Sequence, residues 1–200
     1  MNFVTHIAMS EILYKRLSAK MELDKGAFTY GNVKPDLSKK ILKHPHTLEN
    51  FLPFVCNTSE ELIKNLVSLS EFSFKLGEIC HYICDFFCLY HTEDEIFHRL
   101  KEHFFYELKL HFTLLKIDST IEDMREKTVE KSISSIINEL RAEYFQQEAS
   151  MEKDFKYAFT ATTWVCQYIY YFSHHSIVVD TEHKMDVFYS PSTLPFAGGQ

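Results

Sequence analysis

Residues 79–90 read ICHYICDFFCLY. Nearly every side chain in this stretch is apolar, aromatic or a thiol, a pattern typical of a helix that is surrounded by protein on all sides. His81 and Asp85 nevertheless lie in the middle of it. A carboxylate buried without a partner costs several kcal/mol or becomes protonated. We therefore expect a positively charged group to meet Asp85 inside the fold.

A second polar pair follows in the next helical segment. His81 and Asp85 are four residues apart, about 400° of helical rotation, so their side chains share one face. His103 and Glu107 have the same spacing among aromatic neighbours, and His91 lies between the two pairs. Imidazole and carboxylate groups together are the ligand set of borderline metals such as zinc.

A single pair of this kind is more often a helical hydrogen bond or a surface ion pair than a metal site. Two pairs in apolar surroundings, with further histidines and aspartates upstream, favour a metal site over that explanation. If two or three metal ions lie about 4 Å apart, the chemistry that suits them is phosphate ester hydrolysis, because such ions bind the phosphoryl oxygens and lower the pKa of a bound water.

The composition is that of one globular domain. The chain has 200 residues, 46% of them hydrophobic and 24% charged, with only five glycines and five prolines. Its formal net charge of −7 argues against a basic face that binds nucleic-acid phosphates, and it suits a protein that binds divalent cations. Its 11 histidines exceed what such a domain needs for folding.

The sequence favours a cytoplasmic protein with reduced thiols. Residues 1–6 contain no basic region of the kind that begins a secretory signal. The five cysteines are an odd number, and Cys80, Cys84 and Cys88 share one helix face, which does not suit a disulfide framework. The longest apolar run, residues 72–90, carries too many ionisable side chains for a transmembrane helix.

The spacing of apolar residues predicts an all-α protein, a single-domain bundle of several helices. Turn residues within 27–46 predict a long connection. The expected helices run from Phe3 to about Met21, from Thr58, from Ser70 to about Tyr90, from Glu93 to about Leu115, from Ser119 or Thr120 to about Gln147, and from Met151 to about Ser173. We expect a metal-binding domain over residues 1–175 and an irregular tail over residues 176–200.

Five motifs resemble those of the zinc-dependent phospholipase C family, bacterial all-α enzymes with a cluster of three zinc ions. They are Thr5-His6, the segment GNVKPD at 31–36, His44-Pro45-His46, His81 with Asp85 and His91, and His103 with Glu107. Together they span residues 5–107 in the family's order and with most of its spacings. The resemblance implies the family's helical bundle, whose metal site is similar to that of single-strand nucleases.

The resemblance also implies the zinc ligands. His46 with His81 and Asp85 would hold one ion, and His91 with His103 and Glu107 a second. His46 is preferred to His44 because the family's ligand follows a proline and precedes an apolar-aromatic stretch. In the family a third ion binds the equivalents of His6 and Asp85 together with the amine and carbonyl of the first residue.

The start of the chain departs from the family's pattern. Secreted members begin with a processed Trp, whereas here Met1 stands five residues before His6. We hypothesise that the Met1 amine still reaches a metal beside His6. Asp36 matches a carboxylate proposed in the family as the general base or the group that orients water.

The function implied by the resemblance is zinc-dependent hydrolysis of a phospholipid or another phosphodiester, with two or three zinc ions. Nucleic acid is disfavoured as a substrate by the formal net charge of −7. Two alternatives stay open. One is a zinc-stapled helical protein, in which bound zinc holds the helices together and no substrate is hydrolysed. The other is a nuclease-like phosphoesterase. The sequence also leaves the oligomeric state open.

Overall fold

A computed structural model describes residues 1–37, 45–92, 99–116 and 131–173. These residues form an all-α fold without a β-strand, as the apolar spacing predicts. The seven α-helices are α1 (Phe3–Leu17), α2 (Lys25–Val33), α3 (Leu48–Lys64), α4 (Leu69–Phe86), α5 (Leu100–Leu114), α6 (Ile133–Phe145) and α7 (Met151–Phe172). Two short 3-10 helices, Lys34–Leu37 and Leu89–His91, follow α2 and α4.

Polar side chains cap the beginnings of six of these helices. The N-cap side chain accepts a hydrogen bond from a backbone N–H of the first turn, which satisfies a donor that has no partner within the helix. The caps are Asn2, Asp24, Thr47, Ser68, Ser132 and Ser150. Helix α5 begins differently, because Arg99 makes no side-chain capping bond.

Two elements differ from the sequence prediction. Helix α2 occupies the first part of the predicted connection, because Asp24 caps it and its packing against α4 outweighs its glycines. Helix α3 begins at Leu48 rather than Thr58, with Thr47 as its cap and Pro53 inside it.

Three sequence predictions fall wholly or partly outside the described residues. They are the helix start at Glu93, the helix start at Ser119 or Thr120, and the tail over residues 176–200.

Helix α4 runs through the interior of the bundle and packs against α2, α3 and α7. Its packing with α2 is close because Gly31 and Gly77 face each other. A Cβ on Gly31 would overlap the carbonyl group of Phe74, and one on Gly77 would overlap the carbonyl oxygen of Phe28. The two glycines therefore bring the backbone of α2 next to the middle of α4, where His81 lies.

The bundle buries thiols but presents no membrane-spanning element in the described ranges. Cys80, Cys84 and Cys88 are buried in the core with free thiols, and Sγ of Cys80 lies 3.3 Å from Sγ of Cys166. None of the described helices combines the length and the apolar character that a bilayer crossing requires.

Candidate metal centre

Asp85 lies near the C-terminal end of α4, one helical turn after His81, and both side chains are fully buried. Its two carboxylate oxygens contact different partners. Oδ1 contacts Nε2 of His6 at 3.1 Å and the Met1 amine, while Oδ2 contacts Nδ1 of His46 at 3.0 Å and Nε2 of His81 at 3.4 Å. Nδ1 of His91 also lies 3.6 Å from Oδ2, so five nitrogen atoms surround one carboxylate.

A second set of donors lies beside the first and combines the turn after α4 with α5. His103 and Glu107 share the inner face of α5, with Nε2 of His103 3.0 Å from Oε1 of Glu107. Nε2 of His91 lies 3.1 Å from both of these atoms. The Met1 amine links the two sets, since it lies 2.9 Å from Nε2 of His91 and 3.4 Å from Oε1 of Glu107.

Asp36 joins the cluster from the 3-10 helix that follows α2. Its Oδ1 lies 3.6 Å from Nε2 of His81, which is itself 2.9 Å from Nδ1 of His46. Within the described residues its other oxygen, Oδ2, is buried and has no hydrogen-bond partner. Such an oxygen indicates that the site is built for a group beyond the side chains themselves.

Three groups of donors could each hold a metal ion. They are His6 with His81 and Asp85, Asp36 with His46 and His81, and His91 with His103 and Glu107, in each case with ligand atoms within 4.8 Å of one another. Four ligands arranged tetrahedrally about 2.0–2.2 Å from zinc lie about 3.3–3.6 Å apart. Nε2 of His81 lies 2.9 Å from Nδ1 of His46 and 3.6 Å from Oδ1 of Asp36, and Nε2 of His103 lies 3.0 Å from Oε1 of Glu107. These spacings and the donor types, imidazole nitrogen and carboxylate oxygen, are compatible with zinc.

The comparison with known families agrees with this chemistry. The model of the zinc-dependent phospholipase C family matches residues 5–151. The chain belongs to that family. No curated protein and no solved structure matches the chain. Membership of the phospholipase C family points to a phospholipid as the substrate.

All eight site residues predicted from the resemblance to zinc-dependent phospholipase C lie in the described part of the chain, and the fold brings them together. They are His6, Asp36, His46, His81, Asp85, His91, His103 and Glu107. His44 lies outside the described residues, whereas His46 contacts Asp85 directly. The Met1 amine reaches the same Asp85 oxygen that His6 contacts.

A backbone contact fixes the orientation of His81. Nδ1 of His81 lies 2.8 Å from the carbonyl oxygen of Asn32, the penultimate residue of α2. Because a carbonyl can only accept, Nδ1 carries the proton and donates, which leaves the lone pair of Nε2 directed at the cluster. The close approach at Gly31 and Gly77 makes this contact possible.

The surroundings lower the pKa values of the Asp85 and Glu107 carboxylates, which favours their charged forms, and lower the pKa values of the His81 and His91 imidazoles, which favours their neutral forms. Burial alone would raise the pKa of Asp85, but His91, the Met1 amine and His6 hold it well below its usual range. Burial alone would also raise the pKa of Glu107. The charge of the Met1 amine and the hydrogen bond with His103 outweigh this effect and lower the pKa of Glu107 below its usual range. Burial lowers the pKa of His91 to about 4. Ionised carboxylates and neutral imidazoles are the forms that bind metal.

Two groups at the cluster have raised pKa values. Burial raises the pKa of Asp36, His6 opposes this effect, and the nearby charge of Asp85 adds to it. Burial would lower the pKa of the Met1 amine, but Asp85, Cys88 and Glu107 outweigh it and raise that pKa well above normal.

The turn that carries His91 is held by two residues that the sequence analysis missed. Asp154 of α7 accepts hydrogen bonds from the backbone N–H of Leu89 at 3.1 Å and from the hydroxyls of Tyr106 and Tyr144 at 2.6 and 2.7 Å. Arg141 of α6 donates to the carbonyl oxygens of Phe86 and Thr92 on either side of the turn. Asp154 stands in the first turn of α7 beside Glu152 and Lys153, where an acidic residue is ordinary, so the sequence carries no signal of its burial.

The cluster opens onto a cavity of about 240 Å³. Its lining residues are Met1, Asn2, Phe3, Asp36, His46, His91, His103 and Glu107. The cavity therefore joins the donors of the cluster to space that a small polar group can enter, and the apolar Phe3 is part of its lining.

Proposed function

We propose that this chain is a zinc-dependent phosphodiester hydrolase of the phospholipase C type, with a phospholipid as substrate. One observation carries the proposal. Five imidazoles and three carboxylates from separate parts of the chain converge on one cluster that lines a cavity. Convergence of this kind costs folding free energy unless a cation neutralises the carboxylates.

Two zinc ions account for most of the donors. His46, His81 and Asp85, whose ligand atoms lie 2.9–3.4 Å apart, would hold one ion, and His91, His103 and Glu107 the second. His6 and the second oxygen of Asp85 offer a third position, with the Met1 amine as a further ligand once it has lost its proton. Asp85 would then bridge two ions, since its two oxygens contact separate donors.

The residues of the chain have distinct tasks in the hydrolysis. Zinc ions bound here would polarise the phosphoryl oxygens and make a water molecule more acidic. Asp36 lines the cavity and accepts the proton of the attacking water. Two observations support this role. Its pKa is raised, and its Oδ2 has no hydrogen-bond partner among the described residues. The bond to Asn32 keeps His81 oriented while this happens.

The test compares two carboxylate-to-amide variants with a matched control. Asp85→Asn removes a ligand and is expected to lose zinc and activity together. Asp36→Asn is expected to retain zinc and to lose activity by about 10²–10⁴-fold. Asp24→Asn, at an N-cap where Asn serves equally well, is the control and should change neither.

Zinc content is measured by elemental analysis, and hydrolysis is assayed on short-chain phosphatidylcholine, a chromogenic phosphodiester and single-stranded DNA. Zinc without turnover on any of these substrates would favour a zinc-stapled protein, and turnover on DNA alone would favour a nuclease-like enzyme. Full activity of Asp36→Asn would refute the role of Asp36.

A further inference from the structure

Helix α5 has a second apolar face that does not contribute to the core. We call it the outer face of α5, and it consists of Phe104, Phe105, Leu108, Phe112 and Leu115, the last being the C-cap residue. Phe104, Phe105 and Phe112 are 63%, 59% and 55% exposed. Contiguous exposed aromatic side chains of this size mark an interaction surface more often than chance.

The helical geometry separates this face from the metal centre. Successive residues of an α-helix are rotated by about 100°, so the five side chains of the outer face lie within an arc of about 100° around the helix axis. The buried residues of α5 lie on the opposite side of the axis. They are His103, Leu110 and Leu114. The inner side of α5 thus presents ligands to the cluster, while its outer side has no such task.

Lysines border the outer face. Lys101, Lys109 and Lys116 are exposed beside it, and Glu102 is the one exposed carboxylate within α5. This local excess of positive charge contrasts with the formal net charge of −7 for the whole chain. Aromatic side chains flanked by lysines match the interface of a bilayer, in which the rings enter the headgroup region and the ammonium groups meet lipid phosphates.

Helix α1 adds further exposed apolar side chains close to the cavity. Helix α1 packs against α5, and Phe3, Val4 and Ile7 of α1 are 39%, 53% and 37% exposed. Phe3 also lines the cavity, together with His103 and Glu107 of α5. Apolar surface therefore extends from the wall of the cavity to the outside of the molecule.

We propose that the outer face of α5, with Phe3, Val4 and Ile7, binds the surface of a phospholipid bilayer that carries anionic headgroups. A bilayer bound in this way would lie against the helix that carries His103 and Glu107, and Phe3, which is exposed and also lines the cavity, would bring the cavity wall close to the lipid. The inference deepens the proposed function and rests on it for the choice of a lipid partner.

The test measures co-sedimentation of the full chain with phosphatidylcholine vesicles, with and without about 30 mol % phosphatidylserine. Phe104→Ser/Phe112→Ser is expected to weaken vesicle binding by at least about tenfold and to leave hydrolysis of monomeric short-chain phosphatidylcholine unchanged. Lys109→Glu/Lys116→Glu is expected to lose the preference for phosphatidylserine. Leu66→Ser/Tyr171→Ser, which removes two exposed apolar side chains outside the face, is the control and should bind like the wild type.

Three outcomes would overturn the proposal. The first is a wild type that does not sediment with anionic vesicles, or a Phe104→Ser/Phe112→Ser variant that binds them equally well. The second is a large loss of thermal stability in that variant, which would show that the chain itself covers the face. The third is a wild-type dimer that the variant breaks into monomers. Vesicle binding without hydrolysis of short-chain lipid would instead refute the proposed function, but it would still support bilayer binding by the outer face of α5.

Discussion

At the scale of single residues, two buried carboxylates are stabilised in different ways. Asp85 contacts the Met1 amine and four imidazoles, groups that can carry positive charge or bind a metal ion. Asp154 accepts hydrogen bonds from two tyrosine hydroxyls and one backbone N–H. The first environment suits a ligand, and the second suits a residue that positions the elements around it.

The environment of Asp154 predicts a pH-dependent stability. Burial raises its pKa to about 6, against the opposing effect of the bonds from Tyr106, Tyr144 and Leu89. An unfolded aspartate has a pKa of about 3.9, so ionisation of Asp154 costs folding free energy as the pH rises from about 4 to about 6. The contribution of this residue to stability is therefore largest at acidic pH.

Replacing Asp154 by Asn removes this titration. The free energy of unfolding of the wild type relative to Asp154→Asn is expected to fall by about 2–3 kcal/mol between pH 4 and pH 7. Urea unfolding of both proteins at the same zinc and salt concentrations provides the measurement, and the titration of the metal ligands cancels in the difference. A difference that stays constant with pH would contradict the prediction.

At the scale of elements, the crossing of α2 and α4 positions the metal centre. Gly31 and Gly77 let the two backbones approach, and this approach places the Asn32 carbonyl against His81. A bulkier residue at the crossing would separate the helices and remove the acceptor that orients the imidazole. Packing and ligand geometry therefore depend on the same two glycines.

Gly31→Ala tests this dependence. Its Cβ would overlap the carbonyl group of Phe74, so we expect a loss of at least about 2 kcal/mol of stability and a lower zinc content. Gly26→Ala is the matched control in the same helix, because its Cβ meets Oδ1 of Asp24 at an ordinary 3.4 Å. The control should keep its zinc and be as stable as the wild type or slightly more stable. Thermal unfolding and elemental analysis give both quantities, and equal zinc content in the two variants would contradict the prediction.

At the scale of the whole molecule, the cluster ties together elements from Met1 to α5. Its donors come from the N-terminus, α1, the segment before α3, α4, α5 and both 3-10 helices, so bound ions would cross-link most of the first half of the chain. The family match ends at residue 151, yet α7 beyond it supplies Asp154 and packs against α4.

Removal of metal should therefore destabilise the entire bundle. With free zinc at about 1,000 times its Kd, binding stabilises the folded state by about 4 kcal/mol, or about 8–16 °C in melting temperature for a chain of this size. We expect a chelator to lower the melting temperature by this order and zinc to restore it, as measured by circular dichroism. Asp85→Asn should show a smaller shift, because of the two proposed zinc sites only that of His91, His103 and Glu107 stays complete, and a wild type that melts unchanged after losing its zinc would contradict the prediction.

The local pattern of the sequence determined the fold class and most of the candidate donors. Apolar spacing identifies helices because the period of an α-helix is the same in every context. The buried His81 and Asp85 mark a site because an apolar helix tolerates such groups only with a partner. The same pattern misplaced the start of α3 and missed α2, whose stability comes from packing rather than from its own residues.

The contacts between residues that are far apart in the chain could be seen only in the tertiary structure. The bond from His81 to Asn32, the bonds from Asp154 to Leu89 and Tyr106, and the reach of the Met1 amine to Asp85 each join separate elements. No local period encodes these contacts, because they depend on how closely the helices pack. The sequence by itself therefore determined which side chains can bind metal, whereas the packing of the helices decided which of them meet, how they are oriented and where the cavity opens.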